Sequence, residues 1–306
     1  MKKIIGLLLL LLSFMLVGCS KTDTTFIPTN HLYEDEYVKE GDAHIVLLYG
    51  QSNATGCSEY RFLAEKDYDT LKKYDNGFNN CPISFICENN NHNDFFTPTT
   101  LGMGASINHF GPECGIAEMM SEKYPNQNTY IIKWSFGGSC LASEWFDSSS
   151  NRGNYYNQAI TYTKDKLDIL KSRGINILTI SICWMQGETD ACNDAYTERY
   201  KENTLNLVAY LREDLGSYVS KAINFIDAFI SSRSYWTNYK EINKAKEDAY
   251  YMISKASLIK TNGEDKNAID LFVNKEPEKV DKAHYDSLSM VMLGREFGKR
   301  IIELIG

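Results

Sequence analysis

The sequence lacks the patterns that usually hold a metal ion. Its five histidines include no HExxH motif. Its eight cysteines form no CxxC motif and no cysteine–histidine cluster with zinc spacing. We therefore expect no metal site in this chain.

The chain is also short of basic residues. Without Lys2 and Lys3, which lie in the predicted leader described next, 30 Lys and Arg residues stand against 40 Asp and Glu residues, a net charge of about −10. Such a surface is unsuited to nucleic acid or to anionic lipid. Neither is expected as a partner.

No hydrophobic run is long enough for a typical transmembrane helix. The longest, Ile4–Val17, follows two lysines, as in a secretion signal. Leu16–Val17–Gly18 before Cys19 resembles the bacterial lipobox, which favours a lipoprotein over the alternative of a transmembrane anchor. We expect a signal peptide over 1–18, a lipidated Cys19, and a protein held at the bacterial cell envelope by its lipid alone.

The cysteines that remain after Cys19 are odd in number. Outside the cytoplasm, an odd count means at least one free thiol or an intermolecular bond, and the pairing cannot be deduced from one sequence. The pair Cys81–Cys87, which would close a short loop, is the first disulfide that we would expect. The seven candidates are Cys57, Cys81, Cys87, Cys114, Cys140, Cys183 and Cys192.

The rest of the chain is organised as a polar tether over 19–41 and one domain over 42–306. Apolar, β-branched runs predict strands, and apolar residues at helical spacing predict helices between them. This alternation indicates a doubly wound parallel sheet of about five strands with helices on both faces. The strands are expected at 44–49, 128–134, 175–184, 222–230 and, more weakly, 269–273, and the helices at 113–123, 155–173, 194–214, 239–257 and 287–304.

One segment, Gly56–Phe110, does not show this alternation of strand and helix patterns. It is rich in Asn, contains scattered aromatic residues and has no clean period. It is expected to be a long loop region over the site or a peripheral addition without a function.

Three residues at the two ends of the domain predict a serine hydrolase. Ser52 follows a buried strand and a glycine that permits a sharp turn, and His284 lies near the end of the chain with Asp281 three residues before it. A serine hydroxyl becomes a nucleophile when an imidazole takes its proton, and a carboxylate fixes the tautomer of that imidazole. Taken singly, each is also compatible with a turn serine or a capping histidine.

Two further motifs directly follow predicted strands and are therefore expected at the same edge of the sheet as Ser52. Gln186 and Glu188 follow the strand 175–184, and polar side chains behind so apolar a strand need hydrogen-bond partners. An N-cap at Thr189 or Asp190 would explain neither of them.

Gly137 and Gly138 follow the strand 128–134. Their backbone N–H groups are candidates for an oxyanion hole. The alternative is a plain glycine turn.

These blocks resemble the SGNH hydrolase superfamily, in its branch of sialate O-acetylesterase-like enzymes and the sixth carbohydrate-esterase family of acetyl xylan esterases. The resemblance rests on Gly50–Gln51–Ser52–Asn53, on Trp184 with Gln186–Asp190, and on Asp281–His284, in that order. Gly111–Pro112–Glu113 also matches a segment that precedes a helix in these enzymes.

The resemblance implies a three-layer α/β/α fold and hydrolysis of acetyl esters on carbohydrates without a metal or organic cofactor. Ser52 would be the nucleophile and His284 the general base. The oxyanion hole would use the N–H of Ser52, an N–H of Gly137 or Gly138, and the Gln186 side chain.

The supporting acid would be Asp281 or, as assigned in this branch, Glu188. The expected ligand is an acetylated polysaccharide or an acetylated sialic acid. A non-catalytic glycan-binding lipoprotein and a lipase or thioesterase on the same fold are the alternatives. Aromatic residues near the expected rim are candidates for stacking on sugar rings, with core or lid packing as the alternative; they are Trp134, Trp145, Tyr155 and Trp236.

Overall fold

The computed structural model describes residues 36–88, 90–232, 235–263, 268–272, 281 and 283–306. The predicted signal peptide 1–18, Cys19 and most of the tether 19–41 lie outside the described residues. Among the helices that are described, none combines the length and the apolar character that a membrane span requires.

One seven-stranded sheet forms the centre of the domain, in the order β4-β3-β6-β1-β7-β8-β9. All neighbouring strands in it are parallel except β3 and β4, which form an antiparallel hairpin. A separate two-stranded sheet pairs β2 with β5. The strands are β1 (Gly41–Gly50), β2 (Ser58–Glu59), β3 (Phe78–Cys87), β4 (Asn90–Thr99), β5 (His109–Phe110), β6 (Asn128–Ser135), β7 (Ile175–Met185), β8 (Asn224–Ala228) and β9 (Ala256–Ile259).

Helices flank this sheet in two packed groups. α4 packs mainly against α8, whereas α6 packs against α5 and α7. The helices are α1 (Ser52–Thr55), α2 (Tyr60–Lys66), α3 (Tyr68–Asn76), α4 (Glu113–Lys123), α5 (Asn154–Ser172), α6 (Asp194–Leu215), α7 (Tyr239–Tyr250) and α8 (Ser287–Ile305). The predicted α/β class, with a mainly parallel sheet between helices, is confirmed.

The central strand β1 is paired on both sides along its length, with β6 and β7. From Ala43 to Gly50 every residue of β1 is buried, which explains why its sequence is a continuous apolar run from Ile45 onward rather than an alternating pattern. Because β1, β6 and β7 run in the same direction, the polar segments that follow them emerge at one edge of the sheet.

Three sequence-based expectations of the fold were wrong. The segment Gly56–Phe110 is not a loop region, since it contains α2, α3 and the β3–β4 hairpin, which widens the sheet from five strands to seven. The expected helix 239–257 ends at Tyr250, and its last residues form β9 instead. In the described part of 269–273, Asp270 makes an isolated bridge and belongs to no strand of the sheet.

The expected disulfide Cys81–Cys87 is also wrong, and both residues are free thiols. They lie on the same strand, β3. A strand rises about 3.3 Å per residue, so their Cα atoms are roughly 20 Å apart. Two cysteines whose Cα atoms are more than about 7 Å apart cannot be bridged.

Candidate active site

The turn after β1 brings Ser52 to the edge of the sheet. Gly50 has φ +142°, and a Cβ atom there would lie 2.0 Å from the carbonyl oxygen of Met185. The next residue, Gln51, donates its N–H to that same oxygen at 3.0 Å. Only glycine permits this close approach to β7. Ser52 then begins α1 and is partly exposed.

Asn53 ties this turn to the segment that carries His284. Its amide oxygen accepts the N–H of Tyr285 at 3.2 Å, and its amide nitrogen lies 3.4 Å from the carbonyl oxygen of Ala283. Because Ala283 and Tyr285 flank His284, these contacts hold His284 close to Ser52.

Asp281 orients the His284 ring. Its Oδ2 atom lies 2.6 Å from His284 Nδ1, and its Oδ1 atom accepts the N–H groups of Ala283 and His284 at 2.8 and 3.1 Å. One carboxylate therefore fixes both the loop and the ring. The Cys57 side chain is a second hydrogen-bond partner of the His284 ring.

Electrostatics at this pair favour the charged forms. Burial lowers the pKa of His284, but the hydrogen bond to Asp281 and the side chain of Cys57 outweigh burial and raise it above 6.5. Burial raises the pKa of Asp281, but His284 and the N–H of Ala283 lower it well below its usual range. Cys57 also donates its thiol to the carbonyl oxygen of Ser52 at 3.6 Å.

Glu188 is not a hydrogen-bond partner of the His284 ring. Its Oε1 atom accepts the Asn53 amide at 2.8 Å, and its buried Oε2 atom has no hydrogen-bond partner among the described residues. Burial raises the pKa of Glu188, and the Asn53 hydrogen bond opposes the rise. Of the two candidate acids, Asp281 contacts the imidazole and Glu188 contacts the residue after Ser52.

The glycine turn after β6 faces the same edge. Phe136 donates its N–H to the carbonyl oxygen of Gly50 at 3.2 Å. A Cβ atom on Gly137 would lie 3.7 Å from Ser52 Cβ, and Gly138, with φ +66°, has open space around it. Both glycines are exposed, so their backbone is accessible beside Ser52.

Gln186 is not arranged as the resemblance implies. Its side-chain NH₂ donates to Ser139 O at 3.0 Å and to Asp190 Oδ2 at 2.6 Å, and its oxygen accepts the Tyr200 hydroxyl. Both amide hydrogens are thus in use inside the protein, where Gln186 is fully buried. Both donors of this side chain therefore point to other residues of the protein, and the N–H groups of Ser52, Gly137 and Gly138 stay the other candidates for an oxyanion hole.

Asp190 has a clearer role than an N-cap. It accepts the N–H groups of Leu141 and Ala142 at 2.9 and 3.1 Å, while α6 is capped by Asn193. Together with Gln186 it fastens the chain that follows the glycine turn. Of the two predicted N-caps, Thr189 precedes the short 3₁₀ helix Asp190–Cys192 without a side-chain capping hydrogen bond, and Asp190 binds the chain after the glycine turn instead.

Most of the aromatic residues expected at a sugar-binding rim belong to the core. Trp134, Trp145 and Trp236 are 1%, 0% and 8% exposed. Tyr155 is half-buried and packs on the half-buried Phe136 with ring centroids 5.4 Å apart. The rings of Trp134 and Trp145 pack edge to face with centroids 5.3 Å apart, and Trp236 donates its Nε1–H to Ser231 at 3.1 Å, so these three side chains pack in the core and are not stacking platforms.

A buried ion pair supports the far end of α1. Lys133 donates to Glu113 Oε2 at 2.9 Å, to Thr55 O at 2.7 Å and to Met103 O at 2.8 Å, and neither charged side chain is exposed. All three ammonium hydrogens are satisfied. The other oxygen of Glu113 accepts the N–H of Gly111.

Sequence reasoning assigned no role in the site to four residues, namely Gln51 and Asn53, which stand in the motif around Ser52, and Cys57 and Glu88. Gln51 accepts the N–H groups of Gly187 and Thr189 at 3.2 and 3.4 Å, and Glu88 reaches the glycine turn from the β3–β4 hairpin. Gln51 and Asn53 stand beside Ser52 in the sequence, so their buried polar character was an available signal. Nothing in the sequence indicates that Cys57 and Glu88 lie here.

No cluster of three or more His, Cys, Asp or Glu side chains suited to a metal ion occurs within the residues that the structure describes.

The comparisons with known proteins agree with this architecture. The family model described as carbohydrate esterase, sialic acid-specific acetylesterase matches residues 42–303. The chain belongs to this family, which confirms the resemblance to SGNH-type sialate O-acetylesterases. A search of curated protein sequences found no significant match.

Solved structures share the fold at low sequence identity. A protein from Arabidopsis thaliana is 17% identical with a TM-score of 0.60, over 85% of this chain and 98% of its own. NanS is 14% identical with a TM-score of 0.61, over 88% and 98%. XAC1771, a carbohydrate acetylesterase from Xanthomonas citri, is 13% identical with a TM-score of 0.57, over 87% and 56%. Family and fold together support a carbohydrate esterase.

Proposed function

We propose that this protein removes O-acetyl groups from carbohydrate by a serine acyl-enzyme mechanism. The observation that carries the proposal is the pair of Asn53 contacts to the residues on either side of His284. They join the front of the domain to its end and bring the segments that carry Ser52, His284 and Asp281 together, which supports a serine mechanism.

In the first step, Ser52 Oγ attacks the acetyl carbonyl carbon while His284 Nε2 takes the hydroxyl proton. Asp281 holds Nδ1 and supports the imidazolium that forms. The tetrahedral oxyanion accepts N–H groups of Ser52 and of Gly137 or Gly138. His284 then protonates the sugar oxygen, and the sugar leaves.

In the second step, His284 takes a proton from water, which attacks the acetyl-enzyme. Collapse of the second tetrahedral intermediate releases acetate, and the proton returns to Ser52. The products are acetate and the free sugar hydroxyl. The substrates proposed are acetylated polysaccharide, such as xylan, and acetylated sialic acid, the latter favoured by the description of the family.

Acetate release by the purified chain tests this function. The panel contains a short-chain aryl acetate, a long-chain aryl ester, acetylated xylan and O-acetylated sialic acid. Ser52→Ala is expected to abolish release, whereas Ser217→Ala, on an exposed turn away from the sheet edge, leaves it unchanged.

Two other results of this assay would each support one of the alternative functions. Preference for the long-chain ester would indicate a lipase or thioesterase on the same fold. Binding of the sugars by a folded protein without turnover of any ester would indicate a glycan-binding protein and would overturn the esterase.

A further inference from the structure

Glu88 reaches the candidate active site from a part of the chain that none of the predicted motifs includes. It lies at the turn of the β3–β4 hairpin, and its Oε1 atom accepts the backbone N–H of Gly137 in a short hydrogen bond. This N–H is one of the donors proposed for the oxyanion hole. In the free protein, the Glu88 carboxylate therefore occupies the place in which a substrate oxyanion would accept this N–H.

The same face of Gly137 is directed at Glu88 and at Ser52. A Cβ atom built on Gly137 would lie 2.4 Å from Glu88 Oε1 and 3.7 Å from Ser52 Cβ. A substrate carbonyl that reaches the Gly137 N–H beside Ser52 would meet the carboxylate. Both groups cannot use that N–H with good geometry at the same time.

The hairpin around Glu88 is firmly held, although the Glu88 side chain itself is exposed. Glu88 has a positive φ of +45°, which is uncommon for a residue other than glycine. The next described residue, Asn90, donates its side-chain amide to Gly102 O at 2.9 Å and to Gly104 O at 2.8 Å. The carboxylate can leave Gly137 by side-chain rotation, without unfolding of the hairpin.

We infer that Glu88 is an internal competitor for the oxyanion hole, which the acetyl carbonyl of the substrate must displace before Ser52 attacks. The inference rests on the proposed function and concerns the regulation of that same site. Glu88 acts through the Gly137 N–H and takes no part in bond making or breaking.

The competition affects the reaction in two ways. The apparent binding of the reacting carbonyl is weakened by the fraction of protein in which the N–H is free. A carboxylate that stays nearby also repels the negative charge that develops on the carbonyl oxygen. Removal of the carboxylate is expected to raise kcat/KM by about threefold to tenfold, against the ~10²-fold or greater loss when an oxyanion donor is removed outright.

The kinetic test compares Glu88→Gln and Glu88→Ala with the unmodified chain on a short-chain aryl acetate. Gln keeps the shape and the backbone strain but removes the charge, and Ala removes the competing group. Both variants are expected to raise kcat/KM. Glu65→Gln, which removes an exposed carboxylate from α2, is the matched control and is expected to change nothing. An unchanged or lower kcat/KM in Glu88→Ala would overturn the inference.

A second measurement does not depend on turnover. The chain is labelled with ¹⁵N-glycine, which gives 20 glycine amides, and the Gly137 signal is assigned by its loss in Gly137→Ala. Glu88→Ala is expected to move the Gly137 amide proton upfield, because the strong charged acceptor is gone. An unmoved signal would overturn the inference. Absence of acetate release from every variant would instead overturn the proposed function, and the NMR result would still decide whether Glu88 occupies the donor.

Discussion

The amide oxygen of Asn53 accepts the backbone N–H of Tyr285 at 3.2 Å, although 232 positions separate the two residues in the sequence. Asn53 is fully buried, so this contact and its bond to Glu188 satisfy a side chain that would otherwise be costly to bury. The same contact sets where His284 stands relative to Ser52. Hydrogen-bond satisfaction and placement of the proposed catalytic groups therefore depend on one residue.

The first prediction separates the two candidate acids. Asp281→Asn is expected to lower kcat by about 10³-fold to 10⁴-fold, because an amide no longer fixes the reactive tautomer of His284. Glu188→Gln is expected to lower kcat by less than about tenfold, because its contact is to Asn53 and can be kept by the amide oxygen. Steady-state acetate release measures both, and a larger loss in Glu188→Gln would contradict the assignment.

The second prediction concerns pH. His284 must be neutral to act as a base, and its raised pKa places the acid limb of the kcat/KM profile above pH 6.5. Cys57→Ala removes one of the interactions that raise this pKa and is expected to move the limb to lower pH. The raised pKa also stabilises the folded protein below pH 6.5, a contribution lost as the pH rises through the folded-state value. A limb at or below pH 6.5 in the unmodified chain would refute this reading.

The third prediction uses two glycines of β1 with nearly the same φ angle. Gly41 and Gly50 have φ of +139° and +142°, but only at Gly50 would a Cβ atom meet a neighbour, Met185 O at 2.0 Å. Gly50→Ala is expected to destabilise the fold by about 1–3 kcal/mol and to displace Ser52, with a strong loss of kcat. Gly41→Ala retains kcat. Urea unfolding measures the stability of each variant, and acetate release measures its kcat. Equal losses of stability and of kcat in the two variants would argue against a steric role for Gly50.

The fourth prediction concerns the buried pair Lys133–Glu113. Lys133→Met leaves a carboxylate buried without its cation and is expected to lower the free energy of unfolding by about 3–5 kcal/mol. Adding Glu113→Gln removes that charge and is expected to restore part of the loss. Lys244→Ala, in an exposed ion pair on α7, is the control with almost no effect. Chemical denaturation gives the values, and a loss in Lys133→Met no larger than in the control would show that the pair contributes little.

The fifth prediction addresses the leader. We expect Cys19→Ala to prevent lipidation and to move the protein from the membrane fraction to the soluble fraction of the bacterial envelope. Fractionation followed by immunoblotting, with Cys192→Ala as a control, measures this. Retention of Cys19→Ala in the membrane fraction would favour the transmembrane-anchor alternative.

The sequence alone indicated the class of fold because strands that are buried on both faces of a parallel sheet are nearly continuous runs of apolar residues. The runs that became β1, β6 and β7 were located to within a few residues. The β3–β4 hairpin was missed; β4, Asn90–Thr99, is mostly polar and lies at the edge of the sheet, whereas β3 is a buried inner strand that contains Pro82. An edge strand is paired on one side only, and its residues need not be apolar.

The sequence also determined which residues could carry chemistry, since Ser52, His284 and the two acids stand in short motifs beside predicted strand ends. Only the tertiary structure decided which partner each of these side chains binds. Asp281 binds the His284 imidazole, and Glu188 accepts the Asn53 amide. Gln186 donates to Asp190, and Glu88 accepts the N–H of Gly137. The physical reason is that a motif records local spacing, whereas hydrogen-bond partners are chosen by distance and direction between segments far apart in the chain. Burial makes the partners of Gln186 and Glu188 costly to change, whereas the exposed Glu88 can be displaced from its partner.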